Sequence, residues 1–224
     1  MSALRDRVYR FRLRGVNAYL VEDGADLVLV DAGTPWDRGR IVRGLAAAGF
    51  DASDVDRVLL THYDLDHVGT LASLGLRESV PIHAAEPDAS YLTGDANPPL
   101  TTHKGAFHRL AGVFLTPPTN PVESIEDGDE SGGFVAYRTP GHTPGHTAFV
   151  HEELRTAFVG DMARESGGRL RPSPWHLTAD TSANRASIRD FADRCPPVDV
   201  VAMGHGDPIE EYGYGALKRL ADRV

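Results

Sequence analysis

Cysteine, lysine and long apolar runs are all scarce in this chain of 224 residues. The single cysteine, Cys195, excludes an internal disulfide and favours a reducing, cytoplasmic location. Because no run of about 18 apolar residues is present, we expect no transmembrane helix and no membrane partner. The first residues also lack a basic region followed by an apolar stretch, so we expect no secretory signal.

The chain also has few lysines and a deficit of positive charge. Only Lys104 and Lys218 are lysines among 23 basic residues, and the formal net charge is -9. Such a surface repels polyanions, so we expect no nucleic-acid partner. The length suits one domain with a sizeable core, here spanning residues 1–224. The oligomeric state stays open between a monomer and a homodimer.

Short apolar runs alternate with helical patterns along the chain. The apolar runs predict strands, which are Val8–Leu13, Asn17–Val21, Leu27–Val30, Val58–Leu60, Pro81–Ala84, Phe134–Arg138, Ala148–His151, Thr156–Val159 and Val198–Ala202. Helical spacing predicts helices, which are Arg38–Ala48, Val68–Leu74, Ser182–Arg194 and Tyr214–Val224. Residues 86–121 are rich in proline and glycine, and we interpret them as a partly helical excursion. These elements indicate an α/β (α+β) fold with layers.

Several remaining side chains have no metal-site pattern around them. We expect Cys195 to be buried at a helix end. The aromatic residues Trp36, Trp175, Tyr212 and Tyr214 are expected to pack against the core. We expect surface or hydrogen-bonded roles for the histidines outside the motifs, which are His83, His103, His108, His151 and His176.

Four predicted strands share one arrangement: each ends just before a residue that can bind a metal. These residues are His62, His142, Asp161 and His205. Loops at one edge of a sheet can bring together ligands that are distant in sequence. The pattern therefore predicts one site built from four loops.

The first of these loops is the densest, because His62, Asp64, Asp66 and His67 lie within six residues. Imidazole and carboxylate ligands suit zinc, with iron or manganese as alternatives. Two adjacent metal ions can deprotonate a water molecule by lowering its pKa to roughly 7. The resulting hydroxide attacks a carbonyl or phosphoryl centre.

These motifs resemble those of the metallo-β-lactamase superfamily, which includes glyoxalase II-like and lactonase-like members. The segment His62–His67 resembles the H-x-H-x-D-H signature, and Thr139–His146 resembles the T-P-G-H-T-x-G-H segment. Gly160-Asp161 and Gly204–Gly206 resemble the later ligand motifs, in the same order. The resemblance covers nearly the whole chain.

The resemblance implies a four-layer αββα sandwich with a dinuclear site at one edge of its two sheets. The resemblance implies two divalent metals. One is bound by His62, Asp64 and His142, and the other by Asp66, His67 and His205. Asp161 is the implied bridging ligand between them. The resemblance also implies that Asp31 orients a ligand from the outer shell. His146 is expected to have a structural role.

One position departs from the common pattern, because Asp64 stands where the superfamily usually has a second histidine. A subgroup with H-x-D-x-D-H shares this feature. Asp64 is then either an alternative ligand or a change that weakens the first metal position. Asp66 is also a candidate catalytic group that passes a proton to the leaving group.

The resemblance implies a metallo-hydrolase that cleaves an ester-like bond of a small-molecule substrate, such as a lactone or a thioester. An iron-dependent redox or dioxygenase-type member of the same superfamily is the alternative. A nuclease is less favoured because the charge is negative and no basic clamp is present.

Overall fold

The computed structural model describes residues 1–100 and 103–224. Its strands are β1 Ser2–Arg5, β2 Val8–Arg12, β3 Asn17–Asp23, β4 Asp26–Val30, β5 Arg57–Leu59, β6 Ile82–Ala84, β7 Val122–Ser124, β8 Glu130–Ser131, β9 Phe134–Arg138, β10 Thr147–His151, β11 Thr156–Gly160, β12 Ala163–Glu165, β13 Leu170–Pro172 and β14 Val200–Met203. Its helices are α1 Arg38–Ala48, α2 Leu65–Val68, α3 Asp88–Thr93, α4 His103–Ala111, α5 Thr181–Arg194 and α6 Gly213–Ala221. Short 3-10 turns cover Ala52–Asp54, Leu71–Ser73, Gly112–Phe114 and Trp175–Leu177.

Two large sheets and one small hairpin contain these strands. The first sheet has seven strands in chain order, β1 to β7. Its β1 to β4 pair antiparallel, and β4 to β7 pair parallel. The second sheet has the order β14-β11-β10-β9-β8, with β11 and β14 parallel. Strands β12 and β13 form the separate hairpin.

The alternation of side chains along the strands explains the layers. Val28 and Val30 of β4 belong to an apolar cluster that also contains Phe149 and Phe158 of the second sheet. Because neighbouring residues of a strand point to opposite faces, Leu29 belongs instead to the cluster on the outer face of the first sheet. The first sheet therefore has a buried core on both of its faces.

Helices cover the outer faces of both sheets. Ile41 and Leu45 of α1 pack in the cluster outside the first sheet. Ile188 and Phe191 of α5 pack with Leu217 of α6 outside the second sheet. The order of layers is thus helix, sheet, sheet and helix, which confirms the predicted αββα fold. No helix within residues 1–100 and 103–224 is long and apolar enough to cross a membrane.

The two sheets are joined directly at the edge where the motif loops lie. The Asn17 amide donates to the Gly204 carbonyl at 2.8 Å, and the Thr147 amide donates to the Thr61 carbonyl at 2.8 Å. Each bond ties the start of one strand to a loop that carries a motif histidine. The edge is therefore a rigid platform for the loops.

The helix predicted to start over Val68–Leu74 begins earlier, at Leu65, and ends at Val68; the rest of the predicted range contains only the 3-10 turn Leu71–Ser73. The C-cap of the helix is Gly69, whose backbone packs so closely on Pro35 that an added Cβ would overlap the Pro35 ring. The Gly69 amide donates to the Gly33 carbonyl at 2.7 Å. This contact with a distant loop stops the helix, and local sequence does not encode it.

Other predictions for helices and buried side chains had mixed outcomes. Cys195 is buried at the end of α5, as predicted, and burial raises the pKa of its thiol to about 12. The excursion at 86–121 contains α3 and α4; its residues 101 and 102 lie outside the described part. The packing predicted for three aromatic residues is wrong: Trp36, Trp175 and Tyr212 have relative exposures of 57%, 73% and 79%.

Candidate metal centre

The loops after β5, β9, β11 and β14 bring all seven predicted ligands together. Their side-chain atoms form three overlapping groups in which the ligand atoms lie within 4.8 Å of one another. The groups are His62, Asp64 and His142; His62, His67 and Asp161; and Asp66, His67 and His205. We call the first the Asp64 cluster, and we call Asp66, His67 and His205 together with Asp161 the His67 cluster. The ligand roles themselves stay predictions.

Hydrogen bonds orient the two rings of the His67 cluster. His67 Nδ1 lies 2.9 Å from Asp31 Oδ2, and His205 Nδ1 lies 2.7 Å from the Gly15 carbonyl oxygen. Both acceptors require a proton on Nδ1, so the Nε2 atoms face the carboxylates of the centre. The structure places Asp31 where the resemblance implied an outer-shell residue.

Thr61 orients the third ring through the same aspartate. Its hydroxyl lies 2.8 Å from Asp31 Oδ2 and 2.9 Å from His62 Nδ1. A carboxylate only accepts, so the Thr61 hydroxyl donates to Asp31 and accepts a hydrogen bond from His62 Nδ1–H. The Nε2 lone pair of His62 therefore points into the centre.

Several buried polar atoms in the centre have no hydrogen-bond partner within the described part of the chain. They include His62 Nε2, His67 Nε2 and Asp161 Oδ1. An unsatisfied buried polar atom costs about 1–3 kcal/mol, so three in one place need a common explanation. A divalent cation satisfies nitrogen and carboxylate ligands of this kind. His67 Nε2 and Asp161 Oδ1 belong to the His67 cluster, whose donor set fits one, and the ligand atom of His62 lies within 4.8 Å of theirs.

The carboxylates give the His67 cluster a strongly negative field. Burial alone would lower the pKa of His67, but Asp31 and Asp161 raise it to about 9. Burial likewise acts to lower the pKa of His205, while Asp161 and Asp66 raise it to about 11. Burial would raise the pKa of Asp161, but His205 and His67 outweigh burial and hold it well below its usual range. Without a metal, the histidines carry the compensating positive charge.

Metal binding is therefore expected to release protons from this cluster. The pKa values of His67 and His205, about 9 and about 11, are both above 7. Both rings are therefore protonated at pH 7, and each must lose a proton before its nitrogen binds a metal. We expect about two protons per metal ion at pH 7, and an apparent affinity that rises as the pH increases toward the pKa of His205, about 11. Calorimetry in buffers with different ionisation enthalpies measures this number. Release of no protons would contradict the assignment.

His146 has the structural role that we expected. The Asp161 amide donates to His146 Nε2 at 3.1 Å, so the other nitrogen carries the proton. This Nδ1 donates to Thr139 Oγ1 at 2.7 Å. Both ring nitrogens are thus used inside the fold, where they hold the Asp161 loop against the loop after β9.

Sequence reasoning missed Asp88, a buried residue of α3. Its carboxylate accepts from the Tyr63 amide at 2.8 Å, the Thr143 hydroxyl at 2.6 Å and the Gly145 amide at 2.8 Å. It ties the His62 loop to the His142 loop. Burial raises the pKa of Asp88. Only the proximity of two distant loops reveals this role.

Two further residues that sequence reasoning missed come from α4. Lys104 Nζ lies 2.8 Å from Asp64 Oδ2 and 2.6 Å from His142 Nε2, and His108 Nε2 lies 2.6 Å from Asp64 Oδ1. Burial alone would raise the pKa of Asp64, but Lys104, His62 and His108 hold it well below its usual range. The spacing of four residues, which places Lys104 and His108 on one helix face, was the available signal.

Comparison with known proteins identifies the family of this centre. The family model for the metallo-beta-lactamase superfamily matches residues 11–205. The chain belongs to this superfamily. A solved metallo-beta-lactamase family protein from Thermus thermophilus is 26% identical, with a TM-score of 0.71, over 99% of this chain and 80% of that one.

Other relatives in the superfamily indicate its chemistry. An uncharacterized protein, YobT of Bacillus subtilis, is 30% identical over 85% of this chain and 83% of its own length. The solved protein TTHA1623, in a di-iron-bound form, is 28% identical with a TM-score of 0.69, over 95% of this chain and 98% of that one. The superfamily includes metal-dependent hydrolytic enzymes, and this chain is an enzyme of that kind.

Proposed function

We propose that this protein uses a metal-activated hydroxide to cleave an ester-like bond, such as a lactone or a thioester, in a small molecule. The observation that carries the proposal is the convergence of three buried atoms that lack a hydrogen-bond partner within residues 1–100 and 103–224: His62 Nε2, His67 Nε2 and Asp161 Oδ1. They adjoin Asp66 and His205, whose side chains are both 32% exposed. A reactive centre of this kind has buried ligands on one side and access for a substrate on the other.

The metal would be held by Asp66, His67 and His205, together with Asp161. A divalent metal bound there supplies a Lewis acid and lowers the pKa of water to roughly 7. Asp31 and the Gly15 carbonyl keep the rings of His67 and His205 in the tautomer that this role needs. The ligand atoms are therefore preorganised by the protein.

Asp66 is the proposed proton carrier. Its carboxylate lies 3.3 Å from His205 Nε2 and at the exposed side of the cluster. It can take a proton at one carboxylate oxygen and deliver it to the departing alcohol or thiol. No other carboxylate of the His67 cluster combines this exposure with this position, because the side chain of Asp161 is only 6% exposed.

A cavity beside the centre is evidence for a small substrate that has an apolar part. It has a volume of about 400 Å³, and its lining includes Tyr63, Tyr91, Leu92, His108 and Leu115. Because His108 also contacts Asp64, the cavity lies beside the Asp64 cluster. Ligand pockets commonly have volumes of about 300–1,000 Å³ and mostly apolar walls.

One group of relatives supports a thioester among the candidate substrates. A thioesterase of Emericella nidulans, pkgB, is 27% identical over 95% of this chain. This chain spans about half of that protein, 52% of its length. The shared part contains the fold and the motifs, so thioesters belong in the first set of substrates to be tested.

Zinc is the proposed metal, with iron and manganese as alternatives. Imidazole and carboxylate ligands suit all three ions. The protein TTHA1623 has been solved in a di-iron-bound form. Iron binding in a similar protein makes an iron-dependent redox or dioxygenase-type reaction the second candidate function of this chain. Elemental analysis and the optical spectrum of protein produced without added zinc distinguish the two.

The test of the proposed function is a hydrolysis assay with metal-restored protein on a panel of lactones and acyl thioesters. We expect turnover by the wild type and its loss in His62→Ala, because this change removes a buried nitrogen from the centre. His83→Ala is the matched control, since His83 lies in β6 away from the ligand groups. Equal turnover by His62→Ala and the wild type would refute the hydrolase proposal.

A further inference from the structure

The Asp64 cluster contains a cation of the protein itself. Lys104 of α4 is buried, with 5% relative exposure, and its Nζ lies among the predicted ligands of the first metal. It is 2.8 Å from Asp64 Oδ2 and 2.6 Å from His142 Nε2. A metal in this cluster would need the same two atoms at about 2.0–2.2 Å.

The surroundings of Lys104 match an ammonium group. An ammonium has three N–H donors, and three polar atoms lie within hydrogen-bond distance of Lys104 Nζ; His142 Nε2 accepts in the tautomer that carries its proton on Nδ1. Besides Asp64 and His142, the third is the Leu177 carbonyl oxygen at 2.7 Å. A buried charge is tolerated when it is both paired and fully hydrogen-bonded, and Lys104 meets both conditions.

The other oxygen of Asp64 is also engaged by α4. His108 Nε2 lies 2.6 Å from Asp64 Oδ1, and His108 stands one helical turn after Lys104. Both oxygens of the aspartate are therefore used by one helix. Asp64 provides the carboxylate that this lysine needs.

The carboxylates of the His67 cluster pair with histidine rings, whereas Asp64 also pairs with a lysine. Across residues 1–100 and 103–224, no lysine or arginine forms an ion pair with Asp66 or Asp161. Their charged neighbours are histidines, at 3.1 Å from His205 Nε2 to Asp161 Oδ2 and 3.6 Å from His67 Nε2 to Asp161 Oδ1. An imidazole nitrogen can itself be a metal ligand, whereas the Lys104 ammonium has no lone pair to offer and lies between Asp64 and His142.

We propose that Lys104 takes the place of one metal ion, so that this protein binds a single divalent metal in the His67 cluster. Lys104 then neutralises Asp64 and fixes His142 beside the reacting centre. The inference deepens the proposed function, which needs a metal only at the His67 cluster. It is tested by counting metals, a measurement that does not depend on turnover.

The experiment measures bound zinc per chain by native mass spectrometry after titration of metal-free protein. We expect one zinc in the wild type and two in Lys104→Ala, because the alanine frees Asp64 and His142. Lys218→Met is the matched control: this exposed lysine pairs with Asp193, and the variant should bind one zinc. A folded Lys104→Ala protein that still binds one zinc would overturn the role of Lys104.

The wild type alone provides a second test, which holds even if Lys104→Ala does not fold. Crystals soaked in zinc should show one anomalous peak, surrounded by His67, His205 and Asp161. Two peaks of similar occupancy, with one between Asp64 and His142, would refute the proposal. A single metal with no activity on the substrate panel would instead leave Lys104 in this role and refute the proposed function.

Discussion

Asp161→Ala is expected to reduce metal-dependent hydrolysis about 1000-fold, because a metal contributes several kcal/mol to transition-state stabilisation and each 1.36 kcal/mol changes the rate about tenfold. Asp161 lies within 3.6 Å of ring nitrogens of His67, His142 and His205. Its loss removes the charge shared by these rings. The measurements are the zinc dissociation constant, from competition with a chelator, and kcat/KM on the substrate found in the panel.

The control for this prediction is Asp193→Ala. Asp193 is exposed and pairs with Lys218 on the surface, so the same chemical change occurs away from the centre. Surface ion pairs contribute about 0–1 kcal/mol, and we expect wild-type zinc affinity and kcat/KM. Retention of tight zinc binding by Asp161→Ala would show that the cluster does not use this carboxylate.

Gly204→Ala is expected to disrupt the centre without removing any ligand. An added Cβ at Gly204 would overlap Asp161 Oδ1 and lie 2.7 Å from His67 Cε1. Overpacking of this kind costs about 1–3 kcal/mol of unfolding free energy. Displaced ligands should also weaken zinc binding, by about 10–100-fold if the effect resembles the loss of an orienting contact. Chemical denaturation and chelator competition measure the two effects.

Gly39→Ala is the matched control for Gly204→Ala. Gly39 lies in α1, where the new Cβ would meet only the flexible end of Arg43, at 3.4 Å. Alanine is favoured over glycine inside helices by up to about 1 kcal/mol, so we expect equal or higher stability. The steric explanation fails if both alanine variants bind zinc as tightly as the wild type.

Much of the layered fold could be predicted because its signals are local. The apolar runs Asn17–Val21 and Leu27–Val30 predict strands, and the structure forms β3 and β4 there, with apolar clusters on both faces of their sheet. The helical spacing of Arg38–Ala48 ends at Gly49, whose φ of 91° suits glycine. Edge strands such as β1 and β7 were missed because short, partly exposed segments have weak periodicity.

The residues that meet at the centre could be predicted from the sequence, because they follow predicted strands. The strands β5, β9, β11 and β14 each end no more than four residues before His62, His142, Asp161 and His205, so the strand ends bring these side chains to one edge. The contacts of Asp64 with Lys104 and His108 could not be predicted from the positions of the strands. Lys104 comes from an excursion without regular periodicity, and its contacts depend on how α4 folds over the sheet edge. Local patterns encode strands and their ends, whereas the packing of a distant helix depends on the tertiary structure of the whole chain.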